Sequence, residues 1–185
     1  MELKIWSKTL LNIYGCLFKL ADEIDKIVYE CGISSAFKFG LGMAFIDAQK
    51  MIELTERKIN IINIKVLIEK SLLGLDDLSC KILTLKFIDK MSNETIMEAL
   101  SIKRRTYFRK YINAISAFSN QLLINGYDSN ELINLTSSES WIAEIYKEFY
   151  RKEMSKKAEE NLTNYSIISM AVKDLSALKN YSYFC

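Results

Sequence analysis

The chain has no proline and only six glycines in 185 residues. Proline fixes φ and removes a backbone donor, and glycine weakens a helix by its conformational freedom, so these two residues are what usually punctuate helices. With so little punctuation, long helices are the expected outcome. Half of the residues are apolar and 26% are charged, a globular balance and not a disordered one. A chain of this length can bury a substantial core.

Apolar residues recur at three- and four-residue spacing along almost the whole chain, and the pattern predicts an all-α multi-helix bundle with a central helix-turn-helix. The first helix is expected over about 5–30, carrying Trp6, Leu10, Tyr14, Leu17, Ala21, Ile24 and Val28, with Gly32 as its stop. A second runs from Ser34 or Ser35 to about Leu54. Thr55 opens a third, which carries Ile59, Ile62, Val66 and Leu73 and ends at Gly74. Asp76 or Asp77 caps a fourth, Ser92 caps a short fifth through Leu100, and a sixth spans about Lys103 to Leu123, closed by Gly126. A helical turn over Ser129 to Leu135 follows, then a helix opened by Ser138 and bearing Trp141, Ile145, Tyr146 and Phe149. A last helix is expected from about Asn164 to Leu178. These divide into an N-terminal region (1–75), a helix-turn-helix region (76–126) and a C-terminal region (127–185).

Several function classes are excluded early. Cys16, Cys31, Cys80 and Cys185 form no CxxC pair, and there is no histidine. A zinc site is therefore not expected, and the first three cysteines are read as small buried apolar residues. Without histidine the commonest general base is missing, and no spacing proposes other catalysis. No cofactor and no enzymatic activity are expected. The apolar run over 10–18 is short, is interrupted by Asn12 and lacks a cleavage site, so it reads as part of the first helix and not as a signal peptide. No stretch is long enough to span a bilayer. The expectation is a cytoplasmic protein with no membrane partner.

The formal net charge is only +2, so affinity for nucleic acid needs a local patch. Residues 103–110 supply one, with five positive charges and no negative one. Three of the five arginines in the chain, Arg104, Arg105 and Arg109, fall within it. Elsewhere the chain is rich in Ile, Asn, Lys, Tyr and Phe, a composition of AT-rich coding in which lysine is the default cation. Clustered arginines run against that drift. A guanidinium presents a planar fork that pairs bidentately with phosphate or with the O6/N7 edge of guanine, which an ammonium cannot do.

The run from Met91 to Arg109 resembles the C-terminal helix-turn-helix of bacterial sigma factors, whose frame is s-x-x-E-I-A-x-x-L-x-[IV]-S-x-x-T-V-x-R. Ser92, Ile96, Leu100, Ile102, Thr106 and Arg109 hold corresponding positions. Phage late-gene activators that share this module are similar in an Arg-Thr-Tyr-x-Arg run and an Ala-x-x-x-Phe segment, here Arg105 to Arg109 and Ala114 to Phe118. The resemblance covers about 40 residues, 79–118, and has no counterpart of the sigma segment that binds polymerase and melts promoter DNA. It departs at Met97, Ser101 and Lys103, where the family usually has Ala, often Gly, and Ser or Thr. Ser101 is then expected in a turn conformation that Gly tolerates better, and Lys103 gives up a side-chain cap.

The resemblance implies a transcription regulator that reads double-stranded DNA. Since a single such module contacts few bases, a homodimer on two half-sites is expected, with the flanking helices (1–75 and 138–178) as dimer interface, partner surface or larger core. Lys103, Lys110 and Lys90 are the expected phosphate contacts. Arg104, Arg105, Phe108 and Arg109 are expected to read bases, and Thr106 to meet either. A second reading pairs the basic helix with an acidic partner such as RNA polymerase or a regulatory protein. A third stacks single-stranded RNA on Tyr107, Phe108 and Tyr111.

Overall fold

The computed structural model describes residues 2–37 and 41–154, and every regular element among them is helical. The order is α1 (Glu2–Phe37), α2 (Leu41–Leu73), α3 (Asp77–Leu83) with a π-helical turn (Thr84–Ile88), α4 (Asn93–Ala99), α5 (Arg104–Ile124), α6 (Ser129–Leu135) and α7 (Ser140–Met154). The helix expected over 164–178 lies outside the described residues. No helix among them is long and apolar enough to cross a membrane.

α1 and α2 form a long hairpin. Its cross-links run from Ser35–Asp47 through Asp25–Lys58 to Tyr14–Glu69, one partner descending the sequence as the other ascends, so the helices are antiparallel. Two expected breaks are absent. α1 continues through Gly32, because packing against α2 outweighs the cost of about 1 kcal/mol that glycine carries inside a helix. Thr55 opens no new helix; its hydroxyl donates back to the Met51 carbonyl at 2.7 Å, a bond made inside a continuous helix. Gly74 does end α2. Its carbonyl accepts from Gln121 Nε2 at 2.8 Å, and the Gln121 amide fills the space a Cβ there would need.

A further difference concerns which side of α2 is inside. Leu54, Ile61, Ile64, Leu67 and Ile68 are buried, whereas the expected face of Ile59, Ile62, Val66 and Leu73 is exposed. α2 carries apolar residues on two opposite sides, and α1 covers only one.

α1 itself is enclosed by α2, α5, α6, α7 and the π-helical turn. Its buried residues include Ile5, Trp6, Leu10, Leu11, Ile13, Leu17 and Ile24. Two hydroxyls inside this contact are satisfied by the helix's own backbone, whereas Trp6 Nε1 and Asn12 Nδ2 are buried without a hydrogen-bond partner among the described residues. Ser7 and Thr9 donate to the carbonyls of Leu3 and Ile5, and the Ser7 hydroxyl also meets Ser119 of α5 at 2.7 Å.

α7 starts at Ser140, two residues after the expected Ser138, because Glu139 is held before it. The Glu139 carboxylate is fully buried and takes a two-pronged bond from Arg57 of α2, at 2.6 and 2.8 Å. Trp141 Nε1 donates to the same carboxylate at 2.6 Å. Farther along α7, Tyr146 stacks on Trp6 with centroids 4.4 Å apart. Breaking a buried ion pair leaves one charge uncompensated, which costs about 3–5 kcal/mol. Arg57→Met is accordingly expected to destabilise the chain by about that much in chemical denaturation, and Arg57→Met/Glu139→Gln to recover a large part of it.

Candidate nucleic-acid interface

The segment from α3 to α5 is shaped by short-range signals. Asp76 caps α3 by accepting from the Ser79 amide at 3.1 Å; the Ser79 hydroxyl first, and then this amide, hold its carboxyl below the usual range. The π-helical turn closes with the Asp89 amide on the Thr84 carbonyl, and Lys90 then reverses the chain at φ 54°. Ser92 caps α4 through the Thr95 amide at 3.1 Å. Ser101 makes the turn between α4 and α5 at φ 51°, the left-handed conformation expected for it. Lys103 stands at the N-cap of α5 with no side-chain cap, also as expected.

The inner face of α5 fixes what its outer face shows. Tyr107, Tyr111, Ala114, Ile115, Phe118 and Leu122 are buried, and the Tyr107 hydroxyl donates to Asn93 Oδ1 of α4 at 2.9 Å. With those rings inside, Tyr107 and Tyr111 cannot stack on bases, which removes the single-stranded RNA reading. Lys103, Arg104, Arg105, Phe108 and Arg109 are exposed together over the first two turns, with Thr106 and Lys110 half-buried beside them. The Arg104 guanidinium lies over the Phe108 ring, 5.8 Å from its centroid, a cation–π contact that holds the pair on one surface. The positive strip stops at Lys110; Ile112 and Asn113 continue the exposed face without charge.

Lys90 is placed apart from this strip. Its ammonium donates to the side chain and the carbonyl of Asn12 on α1, at 2.8 and 3.2 Å. Burial pushes it down to about 8, with nearby Lys86 acting in the same direction. It joins the segment after the π-helical turn to α1.

Sequence reasoning missed a second basic group. A cleft of about 650 Å³ opens between α1, α5 and Glu153 of α7, lined by Lys4, Lys8 and Lys86 together with Phe108 and Ile112. Lys8 is paired with Glu153 at 3.0 Å. Lys4 and Lys8, four apart on one helix, were a visible signal; Lys86 was not, since the π-helical turn alters the helical phase that would place it. The fields of Arg104 and Lys86 both reach Glu94 at the start of α4. They add to the hydrogen bonds from its own backbone and Ser92 that lower its carboxyl.

Residues 42–119 match the model of a family described as a protein of unknown function (DUF1492). The match takes in nearly all of α2 and extends through α3 and α4 into most of α5. No curated protein and no solved structure matches the chain.

Two measurements test this local account. Left-handed backbone costs a non-glycine residue about 1–2 kcal/mol, offset in part by the unfolded-state entropy that glycine adds. Ser101→Gly is expected to raise stability by about 0.5–1 kcal/mol in urea denaturation. For Lys90, the folded value of about 8 lies below the ordinary 10.5, so between those limits the unfolded chain binds more protons. Stability from this site then rises with pH across that window. Wild type should gain on Lys90→Met between pH 8 and 10.5, and a gap that does not move with pH would refute the buried ammonium.

Proposed function

We propose that this chain is a DNA-binding transcription regulator whose α5 enters the major groove of duplex DNA by its first two turns. The observation that carries the reading is the joint exposure of Arg104, Arg105 and Arg109 on those turns, directly after a tight left-handed turn. Base-edge contacts in such modules come from the N-terminal residues of the second helix. Arg104, Arg105 and Arg109 read bases in this proposal, Phe108 touches a thymine methyl, and Thr106 meets a base or a phosphate. Lys103 and Lys110 hold phosphates and set the register. The uncapped amides at the start of α5 favour a phosphate oxygen in the same place. Lys90 is left out of the contact set, because Asn12 occupies its ammonium.

The second reading, an interaction module whose basic helix binds an acidic protein such as RNA polymerase, has its own support. Phe108 and Ile112 expose apolar surface beside the charges, and the strip ends after two turns. Such a mixed surface suits a protein partner.

Binding to mixed genomic duplex fragments across a salt series separates them. Wild type is expected to bind, with Lys103→Ala flattening the log–log salt slope by about 0.9 for one lost phosphate contact. Arg104→Ala/Arg105→Ala is expected to cost about 1–3 kcal/mol of site preference per lost bidentate pair. A folded wild type that binds no duplex even at low salt would overturn the DNA reading and leave the acidic-partner module.

A further inference from the structure

α2 has an exposed face as regular as its buried one. Phe45, Ile52, Ile59, Val66 and Leu73 follow one another at intervals of seven residues, and each is at least 52% exposed. Ile62 adds a position three residues after Ile59, on the same side and 40% exposed. Scattered apolar residues on a surface are ordinary, but an aligned series on one helix is not. A seven-residue repeat follows a left-handed supercoil and not a straight cylinder, which drifts by about 20° per heptad. The stripe spans 29 residues of α2, a length of about 43 Å at 1.5 Å per residue.

We infer that this stripe is a coiled-coil seam through which two copies of the chain associate. Three observations favour a second copy over another occupant. The repeat places β-branched Ile52, Ile59 and Val66 at one heptad position, with Ala48, Thr55, Ile62 and Glu69 at the position three residues on, a narrow seam that two helices can share. A two-fold interface uses the same patch on both chains, and this patch is apolar enough to be its own complement. Of the flanking residues, Gln49, Glu56, Asn63 and Lys70 sum to no charge, while Lys58 pairs with Asp25 and Lys65 with Glu69 within the chain, so two copies meet without net repulsion.

The area is also sufficient. At on the order of 100 Å² each, the six apolar residues remove about 1,200 Å² from water in a symmetric pair, the lower end of a specific interface. α1 covers the opposite side of α2, and Asn60 and Arg57 bind the segment before α7 on a lateral side, so among the described residues the seam is left open.

The inference does not depend on what α5 binds, and its test uses the full chain without DNA. Sedimentation equilibrium over a concentration series is expected to give a dimer for wild type and at least tenfold weaker association for Ile59→Lys/Val66→Lys. Circular dichroism should be retained, since neither side chain is in the core. Phe18→Lys, on an exposed part of α1, should leave the dimer intact. Should the double substitution unfold the chain, Leu73→Lys at the end of α2 must still weaken association several-fold with the helical signal kept. A wild type that stays monomeric at the highest concentration overturns the inference, as does a dimer indifferent to changes on the stripe.

Discussion

The burial of α1 on more than one side is the constraint to which the other helices answer. A helix that carries Leu10, Leu11, Ile13 and Leu17 without interruption cannot satisfy itself against one neighbour. It draws α2 along one side, and α5, α7 and the π-helical turn around the others. Ser7 and Thr9 return their hydroxyls to its own backbone. The Asn12 side-chain oxygen instead takes a donor from another element, Lys90. The position of the α3–α5 segment is thereby tied to the centre of the fold.

Charge is sorted between interior and surface by the geometry of the donor. Arg57 is inside because its fork meets both oxygens of Glu139, which compensates two desolvated charges at once. The same fork, exposed at Arg104, Arg105 and Arg109, is available to a ligand. Lysine contributes differently. Lys90 is half-buried at the cost of a lowered proton affinity, whereas Lys26, Lys58, Lys65 and Lys147 make exposed or half-exposed pairs that add little stability.

The proposed dimer seam and the basic strip lie on different helices, α2 and α5, with α3 and α4 between them in the chain. In the proposed function this separation leaves α5 free while α2 associates. A lone recognition helix contacts few bases, and pairing two of them supplies the second half-site. The matched region spans both features, from the start of α2 into α5.

The elements governed by short-range chemistry were legible without coordinates. The caps at Asp76 and Ser92, the strained turn at Ser101 and the uncapped Lys103 follow from neighbours a few residues away. Sequence alone therefore determined that the chain is helical, where the α4–α5 turn falls and which residues form a basic strip after it. It did not determine that α1 passes Gly32 or that α2 passes Thr55, because continuity there is imposed by the partner helix. Nor did it decide the faces of α2, where Leu54, Ile61 and Ile68 compete with Ile52, Ile59 and Val66 at the same period. Two equally apolar faces are equivalent until α1 covers one of them. The direction of Lys90 was settled in the same way, since a sequence gives the charge but only the packed turn gives it Asn12 as a partner.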